Sequence, residues 1–292
     1  MEQIVYLNGA LLPRGQAKIS PFDHGFLYGY ALFETMRAYS GCIFRFQKHL
    51  DRLTRSAELI GLPLGTFELE KACYDTLRAN SLGDARIRLT VSIGEGGNAP
   101  DPPPRPRPTV FIVATSYIPP SAEKYRNGFK AVVSSIRQNS QSPLSRLKSA
   151  NYLNNLLARK EARAAGADEA LLLNERGSLC EGSTSNVFLV NGYTLITPNE
   201  ECGCLPGITR QAVIELAPEI GISVAQREVQ LEELLQADEA FITNSLIELM
   251  PLREVGDRSI GGKSKKGETG DVTEKLMIAY KELVAGETGS LP

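Results

Sequence analysis

The stretch that decides the fold runs from Pro143 to Val190 and reads PLSRLKSANYLNNLLARKEARAAGADEALLLNERGSLCEGSTSNVFLV. Its pattern predicts a helix over 150–165, with Lys148 at the helix start, followed by strands that carry Glu181. Glycine and hydroxyl residues come directly after that glutamate. An amine and a carboxylate from different elements could serve the two ends of one cofactor site.

Composition is that of an ordinary globular enzyme. The 292 residues, 42% of them hydrophobic, are enough for one large or two medium domains. A near balance of 32 Lys+Arg against 34 Asp+Glu argues against a nucleic-acid partner. No apolar run approaches the roughly 20 residues of a membrane span, and the N-terminus lacks a signal-peptide layout. We therefore expect a cytoplasmic protein without membrane contact.

Metal-binding residues are few and scattered. The five cysteines include one close pair, Cys202 and Cys204, which is not a CxxC motif, and the chain has only two histidines. The pattern predicts reduced thiols and no metal site.

The N-terminal half alternates strand and helix patterns. Asn8-Gly9 predicts a hairpin turn, and the later patterns predict strands at 32–39, 85–93 and 109–116 and helices at 46–59 and 68–80. On the first helix, His49 is interpreted as a surface or interface residue, and Arg52 as either a surface arginine or an anion ligand.

Prolines at 119 and 120 indicate a linker. The predicted domains are therefore an N-terminal α+β domain (1–118), a linker (119–124) and a C-terminal domain (125–292). In the second half, a helix that starts at Gly207-Ile208-Thr209 could hold a phosphate with its free amides, or could simply be a threonine-assisted helix start.

The chemistry of these pieces suits pyridoxal 5'-phosphate (PLP). Three places could bind an anion: Arg52, the helix start at Ile208–Thr209, and the polar turn that ends at Ser245. A lysine forms the Schiff base with the PLP aldehyde, and a glutamate keeps the pyridine nitrogen protonated.

Four ordered motifs resemble a known family. LKSANYLNN, EGSTSNVF, GITR and ADEAFITNS follow the order and spacing of the fold-type IV PLP enzymes, as do SPFDHGFLYG and HLDRL. That family contains branched-chain and D-amino-acid aminotransferases and aminodeoxychorismate lyase. The resemblance implies an α/β (α+β) fold of two domains with PLP in the cleft between them, and a homodimer that acts on a small-molecule amine.

The resemblance also implies roles for individual residues. Lys148 would be the Schiff-base lysine, Glu181 the partner of the pyridine nitrogen, and Tyr152 a neighbour of the cofactor's phenolic oxygen. The phosphate would be held by Arg52, Ile208, Thr209 and Ser245. Substrate contacts would come from Tyr28, Phe33, Arg37, Arg88 and Asn244.

Within the family, the motifs look closest to aminodeoxychorismate lyase, which releases pyruvate and 4-aminobenzoate for folate biosynthesis. Asn244 supports the lyase, and the tyrosine-x-arginine motif of branched-chain enzymes is missing around Arg86 and Arg88. The alternative is an aminotransferase acting on a branched-chain or D-amino acid and a 2-oxo acid. A non-catalytic PLP-binding protein is disfavoured, because it would need neither Lys148 nor Glu181.

Overall fold

The computed structural model describes residues 2–97, 100–261 and 270–290, which form two compact units. Unit 1 takes its residues from 1–118, 147–151 and 284–292, and unit 2 from 119–146 and 152–283. Two segments that the linear order assigns to 125–292 thus group with unit 1. The domain boundaries themselves remain a prediction.

Unit 1 is built on one antiparallel sheet. Its strands are β1 (Ile4–Leu7), β2 (Ala10–Pro13), β3 (Ala31–Tyr39), β4 (Cys42–Ile43), β5 (Ala85–Ser92) and β6 (Thr109–Ser116), in the order β2-β1-β6-β5-β3-β4. Its helices are α1 (His24–Tyr28), α2 (Phe46–Leu59) and α3 (Leu69–Ala79). The predicted turn at Asn8-Gly9 is confirmed, because both residues have positive φ and join β1 to β2.

The two faces of this sheet differ in chemistry. In the β3–β5 pair, Glu34 lies opposite Leu89 and Thr35 lies opposite Arg88, and residues that are opposite in an antiparallel pair share a face. One face carries Leu32, Met36, Ile87 and Leu89 into the core that includes α2 and α3. The other face carries Phe33, Arg37 and Arg88. Strand alternation thus separates the core from the side chains predicted to meet a substrate.

Unit 2 is built on a larger mixed sheet. Its strands are β7 (Phe129–Gln138), β8 (Glu169–Asn174), β9 (Leu179–Gly182), β10 (Asn186–Asn191), β11 (Thr194–Pro198), β12 (Ser223–Arg227), β13 (Glu239–Asn244), β14 (Glu248–Val255) and β15 (Arg258–Ser259). Their order is β12-β11-β10-β13-β14-β7-β8-β9, with β15 beside β14, and β7 pairs in parallel with β8 and β14.

The remaining helices are α4 (Ala122–Asn127), α5 (Leu153–Ala164), α6 (Ile208–Glu219), α7 (Leu231–Leu235) and α8 (Asp271–Thr288). In the part of the chain that the structure describes, no helix combines the length and the apolarity that a bilayer crossing requires. Strands β8, β9 and β10 are buried almost throughout, so the polar side chains on them need partners within the fold.

Candidate active site

Lys148 does not lie at a helix start, as its sequence context predicted. Helix α5 begins only at Leu153, and the segment 147–151 pairs with β3 through an isolated bridge between Ser149 and Leu32. The Phe33 amide donates to the Lys148 carbonyl at 2.8 Å, and the Ala150 amide donates to the Ala31 carbonyl at 2.8 Å. The backbone of the lysine is therefore held against the first residues of β3.

The side chain of Lys148 lies beside an apolar ring that it shares with an arginine. Its Nζ is 4.8 Å from the centre of the Phe33 ring, and the guanidinium carbon of Arg88 is 3.8 Å from the same centre. Phe33 is 3% exposed. Unit 1 thus brings three of the predicted residues together: a reactive amine, a cation suited to a carboxylate, and an apolar surface between them.

The other two predicted substrate residues of unit 1 have different neighbours. The Arg37 guanidinium packs on the rings of Tyr39 and Tyr117, at 4.3 and 5.1 Å from their centres. Tyr28 is exposed and meets the His24 ring edge-on at 4.9 Å. Neither contact joins them to Phe33, so their substrate roles remain predictions.

A buried charge cluster lies on the core side of β3. The Glu34 carboxylate accepts hydrogen bonds from His49 Nδ1 at 2.7 Å and from Arg52 Nε and Nη2 at 2.9 and 2.6 Å. All three residues are at most 4% exposed. The interpretation of His49 as a surface residue was wrong: the helix places it inward, where Glu34 satisfies its ring nitrogen.

The electrostatics of this cluster follow from its burial. Burial alone would raise the pKa of Glu34, but the charge of Arg52 and the hydrogen bond from His49 outweigh it and lower the pKa to about 2. Burial lowers the pKa of His49 and outweighs its hydrogen bond to Glu34. We conclude that a charged Arg52–Glu34 pair is flanked by a neutral imidazole.

Glu34 was missed at the sequence level, although one signal was available. It stands at a core position of an otherwise apolar alternating strand, where an ionisable side chain needs a partner. Arg52, predicted to bind phosphate, has its guanidinium fork on that carboxylate, so its role toward a phosphate remains a prediction.

In unit 2, Glu181 is buried and held by the backbone. It is 7% exposed, it lies on β9, and the Leu205 amide donates to its Oε2 at 2.9 Å. The Asn186 side-chain amide donates to the Leu205 carbonyl at 2.8 Å. Both backbone groups of Leu205 are therefore engaged, which fixes the segment that leads into α6.

The start of α6, where a phosphate site was predicted, has no side-chain cap. Gly207 is the N-cap residue and supplies no side-chain cap hydrogen bond, while Thr209 is buried. A Cβ on residue 207 would overlap Asn186 Oδ1, so glycine is required there. An uncapped helix N-terminus carries unpaired amides and the positive end of the helix dipole, which suits an anion.

Tyr152, Asn244 and Ser245 lie around one turn of unit 2. The Tyr152 hydroxyl donates to the Ser183 carbonyl at 3.1 Å, and the Asn244 side-chain amide donates to the Thr184 carbonyl at 3.1 Å. Asn244 Oδ1 also accepts from the amides of residues 246 and 247, each at 2.9 Å. The Asn244 side chain thus shapes the polar turn that contains Ser245, and its predicted contact with substrate is untested.

The functional groups of these residues fit PLP. The chain offers an amine at Lys148, a buried carboxylate at Glu181 for a ring nitrogen, and the uncapped amides of α6 for a phosphate. Among the residues that the structure describes, no group of three His, Cys, Asp or Glu side chains is arranged to hold a metal ion.

Comparison with known proteins assigns the family. Residues 31–255 match the family model described as amino-transferase class IV, and the chain belongs to that family. It is 40% identical over 282 residues to a putative branched-chain-amino-acid aminotransferase of Methanocaldococcus jannaschii, covering 96% of each chain. It is 36% identical over 283 residues to the aminodeoxychorismate lyase of Bacillus subtilis, covering 96% of this chain and 94% of the lyase.

A solved structure agrees with this assignment. The T.th. branched-chain amino acid aminotransferase with pyridoxamine 5'-phosphate superposes with a TM-score of 0.91 at 32% identity, covering 98% of this chain and 95% of that one. The predicted family, fold class and PLP cofactor are confirmed, and the protein is a PLP-dependent class IV enzyme.

Proposed function

We propose that this enzyme is an aminotransferase that moves an amino group between an aliphatic amino acid of the branched-chain type and a 2-oxo acid. The observation that carries the proposal is the Phe33 ring with Lys148 and Arg88 upon it. An apolar ring beside the reactive amine suits an aliphatic side chain, and a guanidinium suits the carboxylate of a 2-oxo acid. The 40% identical relative, which carries the aminotransferase name, supports the same choice over the lyase that the motifs favoured.

Bound PLP supplies an aldehyde that bonds covalently to an amine and a ring that withdraws electrons from the substrate's α-carbon. Lys148 would provide that amine in the resting enzyme, and its Nζ would serve as the base that takes the α-proton and returns it. Glu181 would keep a proton on the ring nitrogen, and the Leu205 amide orients its carboxylate. Arg52, Ile208, Thr209 and Ser245 would hold the phosphate, and Tyr152 would lie near the phenolic oxygen.

The second candidate is aminodeoxychorismate lyase, because the Bacillus subtilis lyase is 36% identical over 283 residues. Its substrate also carries an amine and carboxylates. The two functions differ in what happens after the α-proton leaves: a lyase expels pyruvate, whereas an aminotransferase needs a 2-oxo acid acceptor.

A product assay separates the two. Holoenzyme is incubated with aminodeoxychorismate alone, and separately with a panel of L- and D-amino acids plus 2-oxoglutarate. We expect acceptor-dependent amino transfer from L-leucine, L-isoleucine or L-valine. Release of pyruvate and 4-aminobenzoate without any acceptor would refute the aminotransferase and support the lyase.

Arg88→Gln tests the proposed carboxylate contact. Loss of a charge-assisted hydrogen bond, worth about 1.5–3 kcal/mol, should raise KM for 2-oxoglutarate roughly 10- to 100-fold while PLP binding stays intact. The matched control is Arg86→Gln, because Arg86 is exposed and lies opposite Arg37 rather than on Phe33. Equal KM values in the two variants would show that Arg88 does not bind the acceptor.

We further propose a homodimer. Unit 1 exposes a run of large apolar side chains in and before α1, with Phe26 76% exposed and Phe22 58% exposed. Clustered exposed apolar side chains on a protein surface are typical of an interface. Sedimentation should give twice the chain mass, and Phe26→Glu should shift the protein toward monomer. A monomeric wild type would contradict this proposal.

A further inference from the structure

One buried carboxylate of unit 2 has no part in the proposed chemistry. Glu169, the first residue of β8, is 1% exposed. It accepts hydrogen bonds from the hydroxyls of three consecutive residues: Ser183, Thr184 at 3.1 Å and Ser185 at 2.9 Å. We name residues 183–185 the hydroxyl turn. A single acceptor that gathers three adjacent hydroxyls restricts their rotamers and the backbone that carries them.

The hydroxyl turn packs closely against Glu169. A Cβ on Gly182 would overlap Ser185 Oγ and would come within 3.1 Å of the Glu169 carboxyl group. The Gly182 amide donates to the Ser185 carbonyl at 2.6 Å, which closes the turn, and the Ser183 amide donates to the Ala170 carbonyl at 2.8 Å. The close approach of turn and carboxylate therefore depends on the absence of a side chain at 182.

Arg159 partly balances the charge of Glu169. Its Nη1 lies 3.9 Å from Glu169 Oε1 and donates to Thr184 Oγ1 at 3.2 Å. The arginine thus contacts both the carboxylate and the hydroxyl turn, which ties the outer side of the turn to the same network.

The backbone carbonyls of the hydroxyl turn bind two segments that carry predicted cofactor contacts, one with Tyr152 and one with Ser245. The Ser183 carbonyl accepts from Tyr152 Oη at 3.1 Å and from Asn155 Nδ2 at 2.9 Å. The Thr184 carbonyl accepts from Asn244 Nδ2 at 3.1 Å, and Asn244 shapes the turn that contains Ser245. One short segment therefore orients both Tyr152 and the Ser245 turn.

The hydroxyl turn also lies directly between β9, which carries Glu181, and β10, whose Asn186 binds the segment before α6. Glu181 precedes it on β9, and Asn186 follows it on β10. Asn186 donates to the Leu205 carbonyl, while the Leu205 amide donates to Glu181, so the residues before α6 are held from both ends of the turn. The hydroxyl turn thus connects the four predicted PLP contacts of unit 2, which are Glu181, Tyr152, the Ser245 turn and the start of α6.

We propose that Glu169 is a positioning residue that sets the PLP-binding geometry of unit 2 through the hydroxyl turn. The inference deepens the proposed function, since it takes Glu181, Tyr152, Ser245 and the α6 start as PLP contacts. Without the carboxylate, the three hydroxyls lose their common acceptor, and the carbonyls that orient Tyr152 and Asn244 are free to move. The free energy of PLP binding then decreases by more than the free energy of unfolding of the apoprotein.

The test compares Glu169→Ala with Glu239→Ala. Glu239 is the control because it too is a carboxylate of unit 2 that accepts several hydrogen bonds, from the Val272 amide at 3.1 Å, the Thr273 amide at 2.7 Å and Thr273 Oγ1 at 2.6 Å. Among the residues that the structure describes, these bonds reach only the start of α8. Each variant loses a carboxylate that accepts several hydrogen bonds, but of the two carboxylates only that of Glu169 contacts the hydroxyl turn.

Three quantities are measured: the Kd for PLP from titration of the apoprotein, the Tm with and without PLP, and the pH midpoint of the cofactor's visible band. We expect Glu169→Ala to raise the Kd at least 10-fold, to shrink the PLP-dependent rise in Tm and to shift the band midpoint. Glu239→Ala should lower both Tm values together and leave the Kd within 3-fold of wild type. Glu169→Gln, which keeps one acceptor oxygen, should restore part of the affinity.

The same change in Kd for Glu169→Ala and Glu239→Ala would overturn the proposal, as would an unaltered Kd and band midpoint in Glu169→Ala. If Glu169→Ala does not fold, Ser185→Ala removes one of the three donors, and an unaltered Kd in both Ser185→Ala and Glu169→Gln would also overturn it. None of these measurements uses substrate. A wild type that binds PLP but transaminates no amino acid therefore counts against the proposed function alone.

Discussion

Replacing Glu34 by glutamine should remove a large part of the stability of unit 1. Arg52 is 4% exposed and places Nε and Nη2 on the Glu34 carboxylate, so the variant would remove the negative charge that these two donors face in a buried site. Breaking a buried pair in this way costs about 3–5 kcal/mol. The pKa of Glu34 gives a similar magnitude, because a shift from 4.5 to about 2 corresponds to roughly 3 kcal/mol.

The effect should depend on pH in a definite direction. Because the folded state lowers the pKa of Glu34, its contribution is fully present above the unfolded value of 4.5 and is lost as the pH falls toward about 2. His49 adds to the loss in acid: its pKa is lowered from 6.5 in the folded state, so the unfolded chain takes up its proton first. Glutamine does not titrate, so the gap between wild type and Glu34→Gln should narrow from pH 7 to pH 3.

Urea denaturation of the apoprotein at several pH values, followed by circular dichroism, measures this gap. The control is Asp75→Asn, which breaks an exposed pair with Lys71 and Arg78 and should change little. Glu34→Gln combined with Arg52→Met should recover stability, because no charge is then buried alone. A gap under about 1 kcal/mol at pH 7, or one that does not change with pH, would refute the reasoning.

Three further changes test other parts of the structure. Gly207→Ala should weaken PLP binding in a titration of the apoprotein, because the added methyl would overlap a side-chain oxygen at the α6 N-cap, and unchanged affinity would place the phosphate elsewhere. Cys42 should be the one thiol that reacts with Ellman's reagent in the native protein, because the other four are buried and burial raises the pKa of Cys73 to about 12; a second rapidly reacting thiol would contradict this. Phe241→Ala should cost about 3–5 kcal/mol in urea denaturation, because its ring stacks on Phe188 with centres 4.9 Å apart, and a loss below about 1 kcal/mol would show that the site repacks.

Local patterns predicted most of the regular elements well. The predicted helix 46–59 and strand 109–116 match α2 and β6 residue for residue, and the turn at Asn8-Gly9 follows from the φ values that only a few residue types accept. Short elements such as α1, α4 and β12 were missed, because five or six residues do not establish a period.

The errors at the site have a common cause. The segment 147–151 was assigned to a helix start because a good helical pattern follows it, but its backbone pairs with β3, more than a hundred residues earlier. His49 was assigned to the surface because histidine on a helix is usually solvated. Its hydrogen bond to Glu34 compensates for the cost of removing the ring from water. In both cases a partner distant in sequence decided the outcome.

From the sequence alone one can determine the family, the PLP cofactor and the residue types that such chemistry demands, because ordered motifs around Lys148 and Glu181 are local and specific. Only the tertiary structure decided that Glu34 neutralises Arg52, and that Glu169 gathers the hydroxyls that follow Glu181. The physical reason is that a buried charge or hydroxyl is stable only with a partner. Which residue becomes that partner depends on how strands align, and no periodicity along the chain records it.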